Sequence, residues 1–369
     1  AKHVDGGCEV FAIAEAGVAA EARADVCPAF SRLLEFLRTE YLPRARTEVG
    51  IWAVPRGDEA YRFLIGVHTG TTYSPEQIHE IGLRELASIE AEMEAIARKL
   101  GHQGALREFT EALRADKAQY FTDANALLDG FRAICRRADE ALPRAFGRLP
   151  KQGYEVKAIE AFRARDSVAA FYYPAPDDRS RLGVFYVNTD RLEARPRYNM
   201  AALAFHEAVP GHHFQVTVAQ ESEKLPDFRR HGGFTAFVEG WALYSERLSD
   251  ELGLYPDDLA RFGMLGYQAW RASRLVVDTG LHHLHWTRDQ AIEFLSAHTA
   301  LARAEVENEI DRYIVWPGQA LAYKIGEIEI RTMRRHAEEA LGTAFDLRAF
   351  HDELLGSGAV PMAALRAKI

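Results

Sequence analysis

The sequence predicts a mainly α protein, a large helical fold that carries one small antiparallel sheet. Three observations support this fold class. Apolar residues recur at steps of three to five along most of the chain, which is the spacing of an amphipathic helix. Ser74, Pro75 and Gln77 form the strongest helix start in the sequence. Segments rich in β-branched and aromatic residues are confined to about 153–190.

The first part of the chain contains only helical patterns. The predicted helices cover residues 1–25, a stretch from Pro28 that ends before Pro43, a long stretch from Ser74 to a stop at Gly101, and about 105–115 and 122–143. We therefore predict that residues 1–150 form a helical scaffold part.

Two short segments of the second part, 168–173 and 183–188, predict the strands of the antiparallel sheet, because a Pro/Asp/Arg-rich loop separates them. Helices resume near Asn199 and continue to the end of the chain. No internal repeat or low-complexity linker divides the sequence. Residues 151–369 are thus predicted to form a second part, joined to the first in one continuous fold.

Composition excludes several classes of function. The chain has 369 residues, 48% of them hydrophobic, and a formal charge of −9 from 45 Lys and Arg against 54 Asp and Glu. This mild acidity and the lack of a basic patch disfavour a nucleic-acid partner. Charged residues interrupt every long apolar run, so we predict no membrane span. The oligomeric state is not predicted.

The cysteines do not identify a compartment. Cys8, Cys27 and Cys135 are scattered and odd in number, which is typical of buried thiols, although a Cys8–Cys27 bridge is an alternative in an oxidising compartment. The first residues lack a signal-peptide pattern. A cytoplasmic protein fits this pattern, as does a periplasmic or secreted one whose removed N-terminal segment carried a signal.

A metal site is predicted where His206 and Glu207 follow the wholly apolar run 200–205. A buried carboxylate needs a partner, and metal-bound water is one such partner. A second His within two turns supplies another imidazole ligand, as zinc sites require. The alternative is a His-Glu pair satisfied by neighbouring side chains, which is typical of the dipeptide in isolation.

The spacing of the second His is unusual. In a regular helix His213 would face the same way as His206 but lie about 10 Å further along, and His212 would point about 120° away. Pro210 and Gly211 predict a bulge or kink that loops out two residues. Such a bulge favours His212 over His213 as the second ligand.

The third candidate ligand is Glu239, on a helix predicted over 234–252. Glu239, Glu246 and Asp250 lie on one face of this helix, whereas its aromatic residues form the packing stripe. The alternative is a solvated acidic face. If two adjacent helices instead face a metal, Glu246 is placed to orient a ligand imidazole.

The runs 206–215 (HEAVPGHHFQ) and 239–246 (EGWALYSE) resemble the bacterial family known as domain of unknown function 885. Further similarity covers residues 71–79, 278–283, 287–292 and 312–326, and so nearly the whole chain. The family resembles zinc peptidases of the gluzincin group and is more distantly similar to angiotensin-converting enzyme, thimet oligopeptidase and carboxypeptidase Taq. This resemblance implies a zinc-peptidase-like helical fold with a deep cleft, with the sheet next to the active-site helix. Full-length members are longer at the N-terminus, so we expect this chain to lack an N-terminal portion.

The resemblance also implies roles for individual residues. His206, His212 and Glu239 would bind zinc, and Glu207 would act as the general base. Many gluzincins carry an Asp four residues after the ligand Glu, where this chain has Leu243, so the orienting contact must come from elsewhere.

Residues with less specific signals complete the candidate site. An oxyanion donor is expected in such peptidases. The expected oxyanion donor is Tyr323, for which a core position is the alternative. The candidates for orienting a ligand or contacting substrate are His213, Glu246, Arg274 and His282, and a surface or structural ion pair is the alternative for Arg274. The strand 183–188 is expected either to align the substrate backbone or to be purely structural.

We therefore expect zinc-dependent hydrolysis of peptide bonds in short peptides. Two other functions fit the same residues. One is a zinc-dependent amidase that acts on a small non-peptide acyl substrate, and the other is a non-catalytic helical binding protein with a degenerate metal site.

Overall fold

Helices make up most of the protein, as the apolar spacing predicts. The computed structural model describes residues 22–165 and 167–369. The α-helices are α1 (Cys27–Phe36), α2 (Gly57–Thr69), α3 (Pro75–Lys99), α4 (Leu106–Ala115), α5 (Ala124–Ala141), α6 (Ala161–Ala164), α7 (Met200–Glu207), α8 (His212–Gln220), α9 (Asp227–Arg230), α10 (Thr235–Glu251), α11 (Asp258–His282), α12 (Arg288–His298), α13 (Arg303–Val315), α14 (Ala322–Leu341), α15 (Leu347–Leu355) and α16 (Met362–Lys368).

Shorter helical turns connect these helices. Ala22–Val26 and Leu37–Tyr41 are π-helical. The 3-10 turns are Leu42–Arg44, Ile51–Ala53, Lys117–Gln119, Leu142–Arg144, Leu192–Ala194, Arg197–Asn199, Gln319–Leu321 and Gly342–Ala344. Among the described helices, none is both long and apolar enough to cross a membrane.

The start of α3 confirms the predicted capping box. The Ser74 side chain accepts a hydrogen bond from the Gln77 backbone N–H, and the Gln77 side chain accepts one from the Ser74 N–H at 2.8 Å. These two bonds satisfy N–H groups that a helix start otherwise leaves unpaired. The helix runs to Lys99, and Gly101 follows with a left-handed φ of +91°, as expected of a helix stop.

The chain divides into two compact units, Ala1–Val49 and Gly50–Ile369. The predicted helix over 1–25 lies almost wholly outside the described residues. The second unit contains both sides of position 150, and within it α3 packs along α11. The division into a scaffold part and a catalytic part stays a prediction.

The cysteines differ from one another in state. Cys135 is a free thiol in α5 and is buried, as the scattered pattern predicts. Cys27 is disulfide-bonded, which corrects the expectation of a simple thiol. Cys8 lies outside the described residues.

The sheet has three strands, β1 (Tyr154–Ala158), β2 (Ala170–Tyr173) and β3 (Gly183–Val187), in the order β1-β3-β2. The predicted antiparallel pair, β2 with β3, is confirmed. The sheet is nevertheless mixed, because β1 pairs with β3 in parallel. That strand was not predicted, since a parallel partner joins through a long connection and leaves no turn signal beside it.

Two contacts position the helices that carry the candidate site. Helix α7 is buried and packs against α10. Helices α10 and α14 approach so closely that a Cβ atom at Gly240 would overlap the backbone of Gly326. A Cβ at Gly326 would in turn overlap the carbonyl oxygen of Ala236. The two helices therefore meet backbone to backbone, beside Glu239 and one turn from Tyr323.

Candidate metal centre

A break between two helices brings His206 and His212 together. Helix α7 ends at Glu207 and α8 begins at His212, so the predicted bulge in one continuous helix is corrected to two separate helices. The rings of His206 and His212 lie 4.8 Å apart, centroid to centroid, and are nearly perpendicular. Pro210 lacks the N–H that a helix interior uses, and this is the reason for which an irregular helix is predicted between the two His residues.

Close packing holds the turn between the two His residues. A Cβ atom at Gly211 would overlap the carbonyl oxygen of His206, so only glycine fits there. The indole Nε1 of Trp241, on α10, donates a buried hydrogen bond to the Pro210 carbonyl oxygen at 2.8 Å. Helix α10 therefore fixes the turn as well as carrying Glu239.

Glu239 faces both imidazoles. Its Oε2 lies 3.6 Å from Nε2 of His206 and 3.5 Å from Nε2 of His212. These separations exceed the 2.7–3.2 Å of typical N–H···O hydrogen bonds. Two ligands about 2.0–2.2 Å from one tetrahedral zinc ion lie about 3.4 Å apart. The three side chains therefore fit the spacing of a zinc ligand set.

Glu207 is a second carboxylate at the same place. A His nitrogen from each of His206 and His212 and a carboxylate oxygen of Glu207 all lie within 4.8 Å of one another. Proximity alone would allow Glu207 as a ligand. Glu239 is the better candidate for a third ligand, because one of its oxygens is almost equidistant from both Nε2 atoms.

The environment of Glu207 suits proton transfer. Its Oε2 accepts a hydrogen bond from the backbone N–H of Tyr172, on strand β2, at 3.0 Å. Burial raises the pKa of Glu207, although the neighbouring His212 and His206 act in the opposite direction. A carboxylate with a raised pKa is a stronger base than an ordinary glutamate.

Glu246 supplies the orienting contact that Leu243 does not. Its Oε1 lies 2.9 Å from Nδ1 of His206, and Glu246 is fully buried. An Nδ1–H that donates to Glu246 leaves Nε2 of His206 facing Glu239, as in carboxylate–histidine–zinc triads.

Electrostatics favour a cation between His206 and Glu239. Burial alone would lower the pKa of His206, but the carboxylates of Glu239 and Glu246 raise it to about 9. The same contacts lower the pKa of Glu239 despite its burial. A positive charge, either a proton or a metal ion, is thus stabilised between Nε2 of His206 and the carboxylate of Glu239.

His213 contacts the sheet instead of the candidate ligands. Its Nδ1 forms hydrogen bonds with Tyr172 Oη at 3.0 Å and Thr217 Oγ1 at 3.3 Å. It lines a cavity of about 660 Å³ together with Tyr154 and Val209. Burial lowers its pKa to about 3, so the ring stays neutral. His213 supports strand β2 through Tyr172.

Tyr323 lies beside the candidate ligands. It is largely buried at the start of α14, and both burial and the negative charge of Glu239 raise its pKa. The guanidinium of Arg274 lies 4.5 Å from the centroid of its ring. Arg274 also makes the structural ion pair that the sequence offered as an alternative, with Glu309 at 3.0 Å.

His282 lies outside this group. The Ile51 N–H donates to its Nδ1, and its Nε2–H donates to the Tyr313 carbonyl oxygen, both at 3.0 Å. Both ring nitrogens are therefore used in structural hydrogen bonds. The role suggested for His282 in a second shell or in substrate binding is not supported by this placement.

Three residues at or near the site were not predicted from the sequence: Tyr172, Trp241 and Arg271. Tyr172 lies in a predicted strand, but nothing in the pattern indicates which N–H points to Glu207. Trp241 belongs to the predicted packing stripe, so its polar contact with Pro210 is not apparent. Arg271 is one turn from Arg274, and that spacing is the only available signal.

Two solved structures are similar to the chain. No curated protein matches it. "The putative lipoprotein from Colwellia psychrerythraea" is 37% identical over 95% of the chain, with a TM-score of 0.93. "A putative lipoprotein of unknown function from Shewanella oneidensis" is 22% identical over 95% of the chain, with a TM-score of 0.72, and shows the fold alone. The chain spans 61% and 65% of their lengths.

A family model described as "Bacterial protein of unknown function (DUF885)" matches residues 11–369, which is nearly the whole chain. The chain therefore belongs to the DUF885 family of bacterial proteins.

Proposed function

We propose that the chain is a zinc metallopeptidase of the gluzincin type that hydrolyses peptide bonds in short peptides. One observation carries the proposal. Glu239 Oε2 lies 3.5–3.6 Å from Nε2 of both His206 and His212, which suits ligands of one tetrahedral ion. The buried Glu207 next to this set is placed to act as a base.

Zinc held by these three residues would lower the pKa of water and polarise the scissile carbonyl. Glu207 takes the proton of the attacking water and passes it to the leaving amine. The Tyr172 N–H holds one oxygen of Glu207, which orients the carboxylate. Burial keeps bulk water from competing for this proton.

Tyr323 is the proposed donor to the oxyanion. The charge of Glu239 acts on its phenol, and burial and that charge keep the hydroxyl protonated by raising its pKa. A protonated hydroxyl donates a hydrogen bond to the negative oxygen that develops during attack.

The edge of the sheet next to Glu207 offers a place for the substrate backbone. The sequence suggested 183–188 for this role, but β3 is the central strand and pairs on both sides. That expectation is corrected, since a paired strand has no free hydrogen-bonding edge. Strand β2 is the edge strand and holds Glu207 through Tyr172, so a peptide added along β2 reaches the base directly.

The test compares the wild-type chain with Glu207→Gln and with Glu223→Gln, a control at an exposed position. Each protein is assayed for bound zinc and for hydrolysis of dipeptide, oligopeptide and acyl-amide libraries. We expect stoichiometric zinc in all three, and peptide hydrolysis that Glu207→Gln alone loses by at least about a hundredfold.

Other outcomes identify the rival functions. Hydrolysis limited to acyl amides would indicate an amidase. Absence of zinc from protein prepared without chelator would favour a binding protein with a degenerate site. Full peptide hydrolysis by zinc-loaded Glu207→Gln would contradict the proposed role of the base.

A further inference from the structure

Two buried arginines on α11 have unpaired N–H groups. Arg271 is 5% exposed and Arg274 is 4% exposed. Among the described residues, Nε and Nη1 of Arg271 and Nη1 of Arg274 have no hydrogen-bond partner. A buried cationic N–H without an acceptor is unfavourable, because it loses its hydration without replacement. An anion can therefore supply the hydrogen-bond acceptors that these three nitrogens lack.

Aromatic rings cover the faces of both guanidinium groups. Arg271 lies 4.6 Å from the ring centroids of Tyr267 and Trp270, and Arg274 lies 4.5 Å from those of Trp270 and Tyr323. Stacking stabilises a planar cation through its face. It leaves the N–H edge unsatisfied, and that edge is the part of arginine that recognises a carboxylate through two parallel hydrogen bonds.

The charges around the pair are unbalanced. Glu309 is shared by Arg274 at 3.0 Å and by Arg312 at 3.3 Å. Within the described part of the chain, Arg271 forms no ion pair. Arg271 and Arg274 are one helical turn apart, where like charges repel. An anion that bridges them removes this repulsion and satisfies the free N–H groups.

The pair lies close to the candidate metal centre. Tyr323, whose ring contacts Arg274, is one turn before Gly326, and Gly326 touches Gly240 next to Glu239. The charge of Glu239 also acts on the Tyr323 phenol, so Tyr323 links Arg274 to a candidate metal ligand.

We propose that Arg271 and Arg274 bind the C-terminal carboxylate of the peptide substrate, which makes the protein an exopeptidase that removes residues from a free C-terminus. This inference rests on the proposed peptidase function and adds the class of substrate. The carboxylate of an internal Asp or Glu side chain has the same chemistry, and the test separates the two sources.

The first experiment measures binding to zinc-loaded Glu207→Gln protein by calorimetry. The ligands are one short peptide as the free acid, the same peptide with a C-terminal amide, and an amidated peptide that contains an internal Asp. We expect the free acid to bind about ten- to a hundredfold more tightly than either amidated peptide. Equal binding of free acid and amide would overturn the proposal, as would an internal Asp that restores tight binding.

The second experiment tests the arginines in the same Glu207→Gln background. Arg271→Gln should abolish the preference for the free acid, and Arg271→Lys should restore only part of it, because lysine lacks the two-pronged edge. Arg335→Gln, at an exposed position on α14, is the matched control and should keep the full preference. An unchanged preference in Arg271→Gln would contradict the assignment.

Protein stability separates a binding role from a structural one. The side chain of Arg271 forms no hydrogen bond or ion pair among the described residues, so Arg271→Gln loses only the stacking on Tyr267 and Trp270, and its melting temperature should fall by no more than a few degrees. A marked fall would assign Arg271 to structure and overturn its role in binding. In the wild-type chain, equal hydrolysis of free acids and amides would reject this inference alone, whereas no hydrolysis of any peptide would reject the peptidase function.

Discussion

Trp241 donates a buried hydrogen bond from Nε1 to the carbonyl oxygen of Pro210, at 2.8 Å. The bond joins α10 to the turn that separates His206 from His212. Helix α10 also carries Glu239 and the carboxylate that orients His206. The relative positions of all three candidate ligands therefore depend on a single helix.

Replacing Trp241 tests this dependence. Trp241→Phe removes the donor and leaves the Pro210 carbonyl oxygen buried without a partner. We expect the free energy of unfolding to fall by about 1–3 kcal/mol and zinc affinity to fall with it. Urea denaturation and competition with a zinc chelator measure the two effects. Trp316→Phe, at a half-exposed site, is the control, and equal effects in both variants would contradict the prediction.

Glu246 is expected to strengthen zinc binding without touching the metal. Glu246→Gln weakens the acceptor for the Nδ1–H of His206, so zinc affinity should fall by about ten- to a hundredfold. The control is Asp250→Asn, one turn along the same helix, where the carboxylate pairs with Arg261 instead. Chelator competition measures the affinities. Wild-type affinity in Glu246→Gln would show that this contact does not tune the site.

Gly211 is expected to tolerate no side chain. A Cβ atom there would overlap the carbonyl oxygen of His206, so Gly211→Ala should destabilise the fold by about 2 kcal/mol or more. Gly266→Ala is the control, because a Cβ at Gly266 meets nothing within 4 Å in helix α11. Alanine there should stabilise the protein by up to about 1 kcal/mol. Urea midpoints compare the two variants, and similar values would count against the close approach at Gly211.

His351 is expected to make the protein acid-labile. Its Nδ1–H donates to the Ala145 carbonyl oxygen at 2.9 Å, its Nε2 accepts from Tyr244 Oη at 2.8 Å, and burial lowers its pKa to about 4. The unfolded chain has an ordinary histidine pKa of about 6.5. The folded state therefore binds fewer protons than the unfolded state in this range. The contribution to stability is fully present above about pH 6.5 and is lost as the pH falls through about 4.

Urea unfolding between pH 8 and pH 4.5 measures this loss. As the pH falls, the free energy of unfolding should decrease less in His351→Gln than in the wild type. The difference between the two decreases should reach up to about 3 kcal/mol. In the folded wild type, the ring resonances of His351 should not titrate between pH 7 and pH 5. Titration near pH 6.5 would show that the ring is not held neutral.

The sequence predicts the features that local spacing encodes. The capping box at Ser74 and the antiparallel pair of β2 and β3 each depend on neighbouring residues, and each is present. The sequence also predicts an irregular helix at Pro210, although the irregularity is a break between two helices and not a bulge or kink. The proximity of His206 and His212 also follows from local chemistry, because proline and glycine rule out a regular helix between them.

Features that depend on distant pairing are not predictable in this way. Strand β1 pairs in parallel with β3, about 30 residues later, and no turn signal connects them. The hydrogen bonds of Trp241 and Tyr172 at the site depend on how helix and sheet pack together. His282 has the residue type of a functional group, yet its place in the fold makes it a structural one.

The contact between Gly240 and Gly326 gives the site a mechanical property. Two helices that touch through their backbones have no flexible side chains between them, so their separation is fixed at this point. Glu239 lies next to one of these glycines, and Tyr323 lies one turn from the other. The candidate ligand and the candidate oxyanion donor are therefore preorganised relative to each other.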